Sequence, residues 1–322
     1  MEESNNVLDF YFKTNKNKYL IAKKDEERDF SVAEHAVLSC INAVGLYSEI
    51  YNNVDLARVI KMIIAKDLSD EDISSLKNKK EFKNLQDDYN NLNYIDAFVA
   101  RTACVLTSKD LATANSAYPE IRKLYDNYMK LQKTIRQGHI YWGLKSDRKE
   151  SVLEHIYGTL ILCLGLESEY KYYIDYDRVL KMLLLHETEE IVIGDKTLWD
   201  ISKEKKQEIG KEAVKKVLEN LYLYVEFKEL IDEFNNNYTH AANYAYICDK
   251  LEYDLQVKKY QEMGYYDFNN RPSNVVTNSK EVEKIINDGA KSVFDVHYEY
   301  DKSKYTSYPA MRKILENTKS RK

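Results

Sequence analysis

The chain carries two related octapeptides, RDFSVAEH at positions 28–35 and RKESVLEH at positions 148–155, placed 120 residues apart. Each contains Ser-x-x-Glu, the capping box in which serine and glutamate side chains satisfy free amides at the start of a helix. A second pair, RVIKM at 58–62 and RVLKM at 178–182, keeps the same spacing. Repetition at a fixed spacing indicates two copies of one unit, and the capping boxes predict that the unit is helical.

A third pair of segments suggests where the copies end. YPEIRK at 118–123 is related to YPAMRK at 308–313, but these segments lie 190 residues apart, so the second copy carries about 70 additional residues before its end. We expect one unit at residues 1–130 and another at 131–322, with no flexible linker between them. Two such units predict an internal pseudo-dimer packed about a local two-fold axis.

Composition also favours an all-α fold. The 322 residues include only 9 Gly and 3 Pro, too few for the many turns of a β-sandwich. Asp55 and Asp177 are placed to cap the helices that contain the RVIKM and RVLKM segments. Beyond them, apolar spacing predicts further helices at 203–221, 227–234, 241–263 and 280–293.

Charge and apolar patterning exclude several classes of protein. The net charge is −5, so no overall positive field attracts nucleic acid or an anionic membrane. The chain has no apolar run of the roughly 20 residues that span a bilayer, and its first 20 residues do not resemble a signal peptide. Its 4 cysteines are scattered, without a Cys-x-x-Cys pair, so we expect buried free thiols and a cytoplasmic location.

The chemistry-bearing residues concentrate in the second copy. His155 lies one turn into its predicted helix, His186 and Glu187 close the next one, and Asp249 lies within a later apolar helix. Imidazoles and carboxylates from separate helices are ligands that suit a divalent transition metal. The segment HETEE at 186–190 begins like the zinc-peptidase motif His-Glu-x-x-His but ends in glutamate, which excludes that class.

Taken in order, these motifs resemble those of the HD-domain phosphohydrolases, and most closely the branch that contains the 5'-deoxynucleotidases. The resemblance covers roughly residues 130–260. The matching segments are ESVLEH at 150–155, RVLKM at 178–182, HE-x-x-E-x-x-x-GD at 186–195 and DKLE at 249–252. In addition, RQG at 136–138 and the nearby Trp142 are similar to an Arg-x-Gly-Trp segment of that branch.

The resemblance implies a role for each matching residue. Glu190 would orient or deprotonate the attacking water. Asp195 would lie close to these residues and either support them or contact a substrate hydroxyl. Arg148 would bind the phosphate. The implied metal ligands are His155, His186, Glu187 and Asp249.

The implied reaction is removal of phosphate from a nucleoside 5'-monophosphate, of the deoxy series in that branch, by a metal-activated water. One divalent metal ion is expected, and the sequence does not decide whether it is Mn, Co, Zn, Fe or Mg. The partner is then a small nucleotide, and the chain acts either as a monomeric pseudo-dimer or as a homodimer.

The chain departs from the family pattern in both copies. The His-Asp dyad of the family is His186-Glu187 in the second copy, while Lys66 and Asp67 stand at these positions in the first. Asp96 is a candidate remnant of Asp249. Two interpretations of the first copy stay open: an ion pair of Lys66 with Asp67 or Asp96, or a metal-free anion pocket. The pocket would consist of Arg28, His35 and Lys66.

Two alternatives to a nucleotidase also stay open. The same metal centre suits hydrolysis of another phosphorylated signalling nucleotide, although a second His pair for a two-metal centre is missing. Alternatively, Glu187 in place of the family's aspartate has abolished catalysis, and the chain is a binding or scaffold protein of the HD fold.

Overall fold

The computed structural model describes residues 2–108, 118–196 and 200–321, and most of them are helical, as predicted. The first half begins with α1 and a 3-10 helix at Asn15–Lys18, followed by a two-stranded antiparallel sheet of β1 and β2. Its elements are α1 (Glu2–Thr14), β1 (Ile21–Lys23), β2 (Phe30–Ser31), α2 (Val32–Ile50), α3 (Leu56–Ala65), α4 (Lys79–Asn91), α5 (Ile95–Ser108) and α6 (Pro119–Lys133), which runs across the expected boundary at residue 130.

The second half is longer and contains the larger number of described helices. A 3-10 helix at Lys304–Ser307 precedes its last helix. Its elements are α7 (Gln137–Tyr141), α8 (Val152–Glu169), α9 (Tyr176–Leu185), α10 (Glu190–Ile193), α11 (Lys203–Leu218), α12 (Tyr224–Asn236), α13 (His240–Glu262), α14 (Lys280–Asn287), α15 (Val293–Asp301) and α16 (Pro309–Ser320).

Both octapeptides start a helix in the predicted way. The side chain of Ser31 accepts from the amide of Glu34, whose carboxylate accepts from the amide of Ser31, and Ser151 and Glu154 form the same reciprocal pair. These capping boxes begin α2 and α8. Both helices are apolar on nearly every side and must therefore lie in the core. α2 packs against α3, α5 and α6, α8 packs against α1, α9 and α13, and the two contact each other.

Two of the predicted helix boundaries are wrong. Asp55 caps α3 as expected, but Asp175 rather than Asp177 caps α9, because the helix begins two residues earlier, at Tyr176. Asp177 instead forms an ion pair with Lys61 at 3.0 Å. The single helix expected at 280–293 is two helices, separated by Gly289, whose φ of 114° is incompatible with an α-helix.

The remaining global expectations concern cysteines and membranes. All four cysteines are buried free thiols. In the described part of the chain, every helix is too short or too polar to cross a bilayer.

Candidate metal centre and the adjoining cavity

Four of the residues singled out by sequence converge in a buried cluster. His155 comes from α8, His186 and Glu187 follow directly after α9, and Asp249 comes from the middle of α13. Each offers one ligand atom, and these atoms all lie within 4.8 Å of one another. The structure therefore brings together the complete ligand set that the resemblance implied.

The ring of His186 is oriented toward this cluster. Its Nδ1 donates to the carbonyl of Leu183 at 2.8 Å, which leaves Nε2 as the nitrogen with a free lone pair. Nε2 lies 3.4 Å from Glu187 Oε1 and 3.9 Å from Asp249 Oδ1. It is buried and has no hydrogen-bond partner among the described residues. A buried acceptor without a donor, facing two carboxylates, fits a metal ligand.

His155 is held at both of its ring nitrogens. Nε2 lies 2.9 Å from Asp249 Oδ1, and Nδ1 lies 2.6 Å from Oε2 of Glu252, one helical turn further along α13. Burial and the charge of Arg136 lower the pKa of His155, but Glu252 and Asp249 raise it, with a net rise to about 9. The cluster therefore attracts positive charge, and Glu252 fixes the ring that presents Nε2 to it.

Glu190 lies at the start of α10, beside the cluster. Its side chain is buried, its Oε1 is 3.7 Å from Lys206 Nζ, and its Oε2 has no hydrogen-bond partner in the described ranges. Burial, followed by the charges of Glu187 and Asp195, raises the pKa of Glu190. A carboxylate with one free oxygen and a raised proton affinity suits the proton-accepting role that the resemblance implied.

Arg136 is a site residue that the sequence reasoning did not select, although it lies in the RQG motif. Its Nη1 is 2.8 Å from Glu187 Oε1 and 3.5 Å from Asp195 Oδ1, while its buried Nε has no partner in the part of the chain that is described. Asp195 Oδ2 accepts from the backbone amide of Gln137 at 2.6 Å. Arg136 thus carries a spare donor at the edge of the cluster, with Asp195 beside it.

A cavity of about 290 Å³ adjoins the cluster on this side. Arg136, Asp195 and Lys250 line the end near the metal ligands, and Lys250 Nζ donates to Asp249 Oδ2 at 2.9 Å. The remaining walls include apolar and aromatic side chains from α7, α13, α15 and the loop before α14, among them Trp142, Tyr253, Val276 and Val296. His297, Asp301 and Lys304 also line the cavity. A pocket that combines apolar and aromatic walls with a few charged groups is typical of a small-molecule site.

Arg148, expected to grip phosphate, is engaged elsewhere. Its Nε and Nη2 atoms both donate to Glu154 Oε1, at 3.1 and 2.7 Å. Nη2 also donates to Glu34 at 3.1 Å, and Nη1 donates to the carbonyl of Asp29 at 2.9 Å. None of these partners belongs to the cluster, and Arg148 does not line the cavity. In this structure Arg148 therefore lies away from the cluster, and Arg136 is the guanidinium beside it.

The residues of the expected anion pocket in the first half are not gathered into one site. Arg28 donates to Glu154 at 3.0 Å and to the carbonyl of Lys149 at 3.0 Å. His35 Nε2 is paired with Ser108 Oγ at 3.1 Å. Lys66 forms the ion pair with Asp67 that was one of the two interpretations. A cavity beside His35 is lined by neither Arg28 nor Lys66, so this cavity does not bring the three residues together.

Asp96 does not correspond to Asp249. It accepts from the amide of Asp55 at 2.9 Å and lies 3.5 Å from Arg58, and it makes no ion pair with Lys66. α5 and α13 each follow a residue with left-handed backbone, Leu92 and Asn237. Twelve positions after these residues stand Cys104 and Asp249, so by this count a buried thiol, and not Asp96, matches Asp249 in sequence.

The fold and the site together define a helical protein with a buried histidine–carboxylate centre that suits a divalent metal ion. The chain belongs to the HD domain family, whose pattern matches residues 128–289. Human 5'-deoxynucleotidase HDDC2 is 27% identical over 139 residues, which cover 42% of this chain and 66% of that protein. The 5'-deoxynucleotidase hdd1 of Schizosaccharomyces pombe is 30% identical over 143 residues, which cover 42% of this chain and 70% of that protein.

Among solved structures, one match is a conserved hypothetical protein from Pyrococcus furiosus. Its TM-score is 0.45 at 24% identity, over 62% of this chain and 99% of that one.

Proposed function

We propose that this protein is a metal-dependent phosphohydrolase that releases phosphate from nucleoside 5'-monophosphates, with the deoxy series as preferred substrates. One observation carries the proposal: the cluster of His155, His186, Glu187 and Asp249 lies beside a cavity with a cationic end. The names of the human and yeast relatives, both 5'-deoxynucleotidases, support the choice of substrate.

The metal ion would be held by these four residues and would supply Lewis-acid polarisation of a phosphoryl oxygen. Glu190 accepts the proton of the attacking water through its free Oε2. Arg136 donates to the phosphate through Nε, and the ammonium of Lys250 adds positive charge at the same end of the cavity. The water oxygen bonds to phosphorus as the bond from phosphorus to the 5'-oxygen breaks, and the proton held by Glu190 passes to that oxygen. The nucleoside then leaves with a 5'-hydroxyl group through the apolar part of the cavity.

The walls of the cavity fit a nucleoside. Trp142 and Tyr253 offer aromatic faces for a base, and Val276 and Val296 add apolar surface. Asp195 lies between this region and the cluster, at the place where a sugar hydroxyl would meet a carboxylate oxygen. The location of Asp195 supports the role of sugar contact that the resemblance implied.

Glu187 is compatible with a working centre despite the additional methylene. Its Oε1 lies within 3.6 Å of the Nε2 atoms of both histidines and also accepts from Arg136 at 2.8 Å. Arg136 thereby restrains the longer side chain with its carboxylate at the cluster. This contact favours the enzyme over a detuned scaffold protein.

We further propose that residues 1–130 and 131–322 are two HD-like units related by an internal two-fold axis. Reciprocal contacts support this arrangement: Arg28 donates to the carbonyl of Lys149, and Arg148 donates to the carbonyl of Asp29. Likewise, Arg28 binds Glu154 while Arg148 binds Glu34. Such exchange of equivalent partners is the signature of an isologous interface.

The test is metal content combined with phosphate release. We expect about one equivalent of bound Mn²⁺, Co²⁺ or Zn²⁺ per chain, and phosphate release from deoxynucleoside 5'-monophosphates. His186→Ala should weaken metal binding by more than about 100-fold, since even residues that only support a metal ligand contribute 10–100-fold.

His240→Ala is the matched control, because His240 is an exposed histidine at the start of α13. It should bind metal and release phosphate like the unaltered protein. Failure of the unaltered protein to bind any of the three metals would refute the proposal.

A further inference from the structure

A fully buried lysine from the first half lies inside the second. Lys18 ends the 3-10 helix at Asn15–Lys18, and its side chain is 2% exposed. Its Nζ donates to Glu150 Oε1 at 2.5 Å, to Glu252 Oε1 at 2.6 Å and to Gln256 Oε1 at 3.1 Å. Burial lowers the pKa of Lys18, but Glu150 and Glu252 raise it above its ordinary value, so the ammonium stays charged.

Glu252 connects this lysine to the candidate metal centre. Its Oε1 accepts from both Lys18 Nζ and Tyr11 Oη, the latter at 2.7 Å, and its Oε2 is the atom paired with His155 Nδ1. Glu252 is fully buried. A buried carboxylate stays ionised and fixed only where donors compensate its charge. The two donors on Oε1 therefore determine where Oε2 points.

The backbone of α8 leaves space for this arrangement at Gly158. A Cβ atom at this position would lie 2.0 Å from Glu252 Oε1 and 2.8 Å from Lys18 Nζ, closer than any side chain allows. In the first half, the residue three positions after the octapeptide is Leu38 rather than glycine, and Thr107 stands where α13 has Glu252. The space and the carboxylate thus occur together in the half that has the metal ligands, and both are missing from the other.

We infer that Lys18 and Tyr11 are positioning residues for the metal ligand His155, acting through Glu252, so that the first half of the chain completes the metal centre of the second. The inference rests on the proposed metal centre. Both residues lie outside the region of the HD domain match, residues 128–289. They give the first half, which lacks the ligand set, a direct role at the centre.

The sharpest test is Tyr11→Phe, which removes one donor to Glu252 and preserves the aromatic ring. We expect about a tenfold weaker affinity for Mn²⁺, measured by competition with a chelating dye at fixed pH, because residues that orient metal ligands contribute 10–100-fold. The unfolding temperature in EDTA should stay close to that of the unaltered protein.

Tyr157→Phe is the matched control. Tyr157 is equally buried and lies on the same helix as His155, but its hydroxyl is bonded to Asn17 rather than to Glu252. We expect it to leave Mn²⁺ affinity unchanged.

Lys18→Met should have a larger effect, about 100-fold in Mn²⁺ affinity, together with lower stability. Its control is Lys61→Met, because Lys61 also links the two halves, through Glu167 at 2.8 Å and Asp177, but has no contact with Glu252. Lys61→Met should lower stability and leave metal affinity intact.

The outcomes separate this inference from the proposed function. Unchanged Mn²⁺ affinity in Tyr11→Phe, with binding abolished in His186→Ala, would overturn the positioning role and leave the metal centre standing. A tenfold loss in Tyr11→Phe but not in Tyr157→Phe supports it. An unaltered protein that binds no metal would overturn both.

Discussion

The two halves of this protein, which we propose are copies of one unit, begin with the same local structure and differ in their chemistry. α2 and α8 begin with the same capping box and present His35 and His155 at equivalent positions. His155 is paired with Asp249 and Glu252, whereas His35 is half-buried and paired with a serine hydroxyl. The comparison teaches that caps and core packing maintain the frame, while a few interior residues decide whether it can hold a metal ion.

Each half also contains an arginine–carboxylate ion pair between two of its helices. Arg58, at the start of α3, binds Asp88 of α4, and Arg178, at the equivalent point of α9, binds Glu233 of α12. Both halves therefore retain the contact that ties these helices together. Under the proposed duplication, Lys66 and Cys104 stand at the positions of His186 and Asp249, so the halves differ at the ligand positions.

The largest effect on turnover is expected from Glu190→Gln. Because the change removes a proton acceptor but none of the four metal ligands, we expect kcat to fall by about 10²–10⁴-fold. Metal content should stay at the unaltered value. Phosphate-release kinetics and metal analysis on the same preparation check both statements, and a substantial kcat in the variant would assign proton transfer to another group.

The two arginines allow the next comparison, since Arg136 lies at the cluster and Arg148 lies between the halves. Arg136→Ala should reduce kcat/KM by about 10²-fold, the typical cost of losing one donor to a developing negative charge. Arg148→Ala should instead lower the free energy of unfolding by about 3 kcal/mol, because Glu34 and Glu154 then stay buried without it.

Denaturant unfolding and steady-state kinetics on both variants separate these effects. If Arg148→Ala folds normally but loses activity, Arg148 contacts the substrate after all, and the assignment of Arg136 is wrong.

The smallest effect is expected in the first half. Lys66→Met removes the ion pair with Asp67, which is partly exposed, so the free energy of unfolding should fall by less than about 1 kcal/mol. Phosphate release should not change. A large loss of activity in this variant would mean that the first half binds a ligand that the enzyme needs.

Much of the frame was predictable because it depends on neighbours in sequence. A capping box is complete within four residues, and both were found, as were the buried cysteines and the ligand set carried by motifs. The errors arose where two local signals competed. Asp175 and Asp177 are both suitable N-caps, and the apolar spacing of 280–293 concealed the break that Gly289 introduces.

The supporting residues of the site could not be predicted, because chain topology rather than spacing brings them together. Arg136 belongs to a recognised motif, but only the path of α7 shows that it lies against Glu187 while Arg148 does not. Lys18 and Glu252 are 234 residues apart in sequence. An isolated lysine in a polar segment gives no signal that it will be buried.

The wide separation of these partners has a consequence for biosynthesis. Tyr11 and Lys18 leave the ribosome early, but α13, which carries Asp249 and Glu252, follows more than 200 residues later. Contacts between such distant segments form late in folding, since a long loop must close first. Until α13 has been synthesised, the nascent chain has only part of its candidate ligand set, so the cluster cannot form before that helix does.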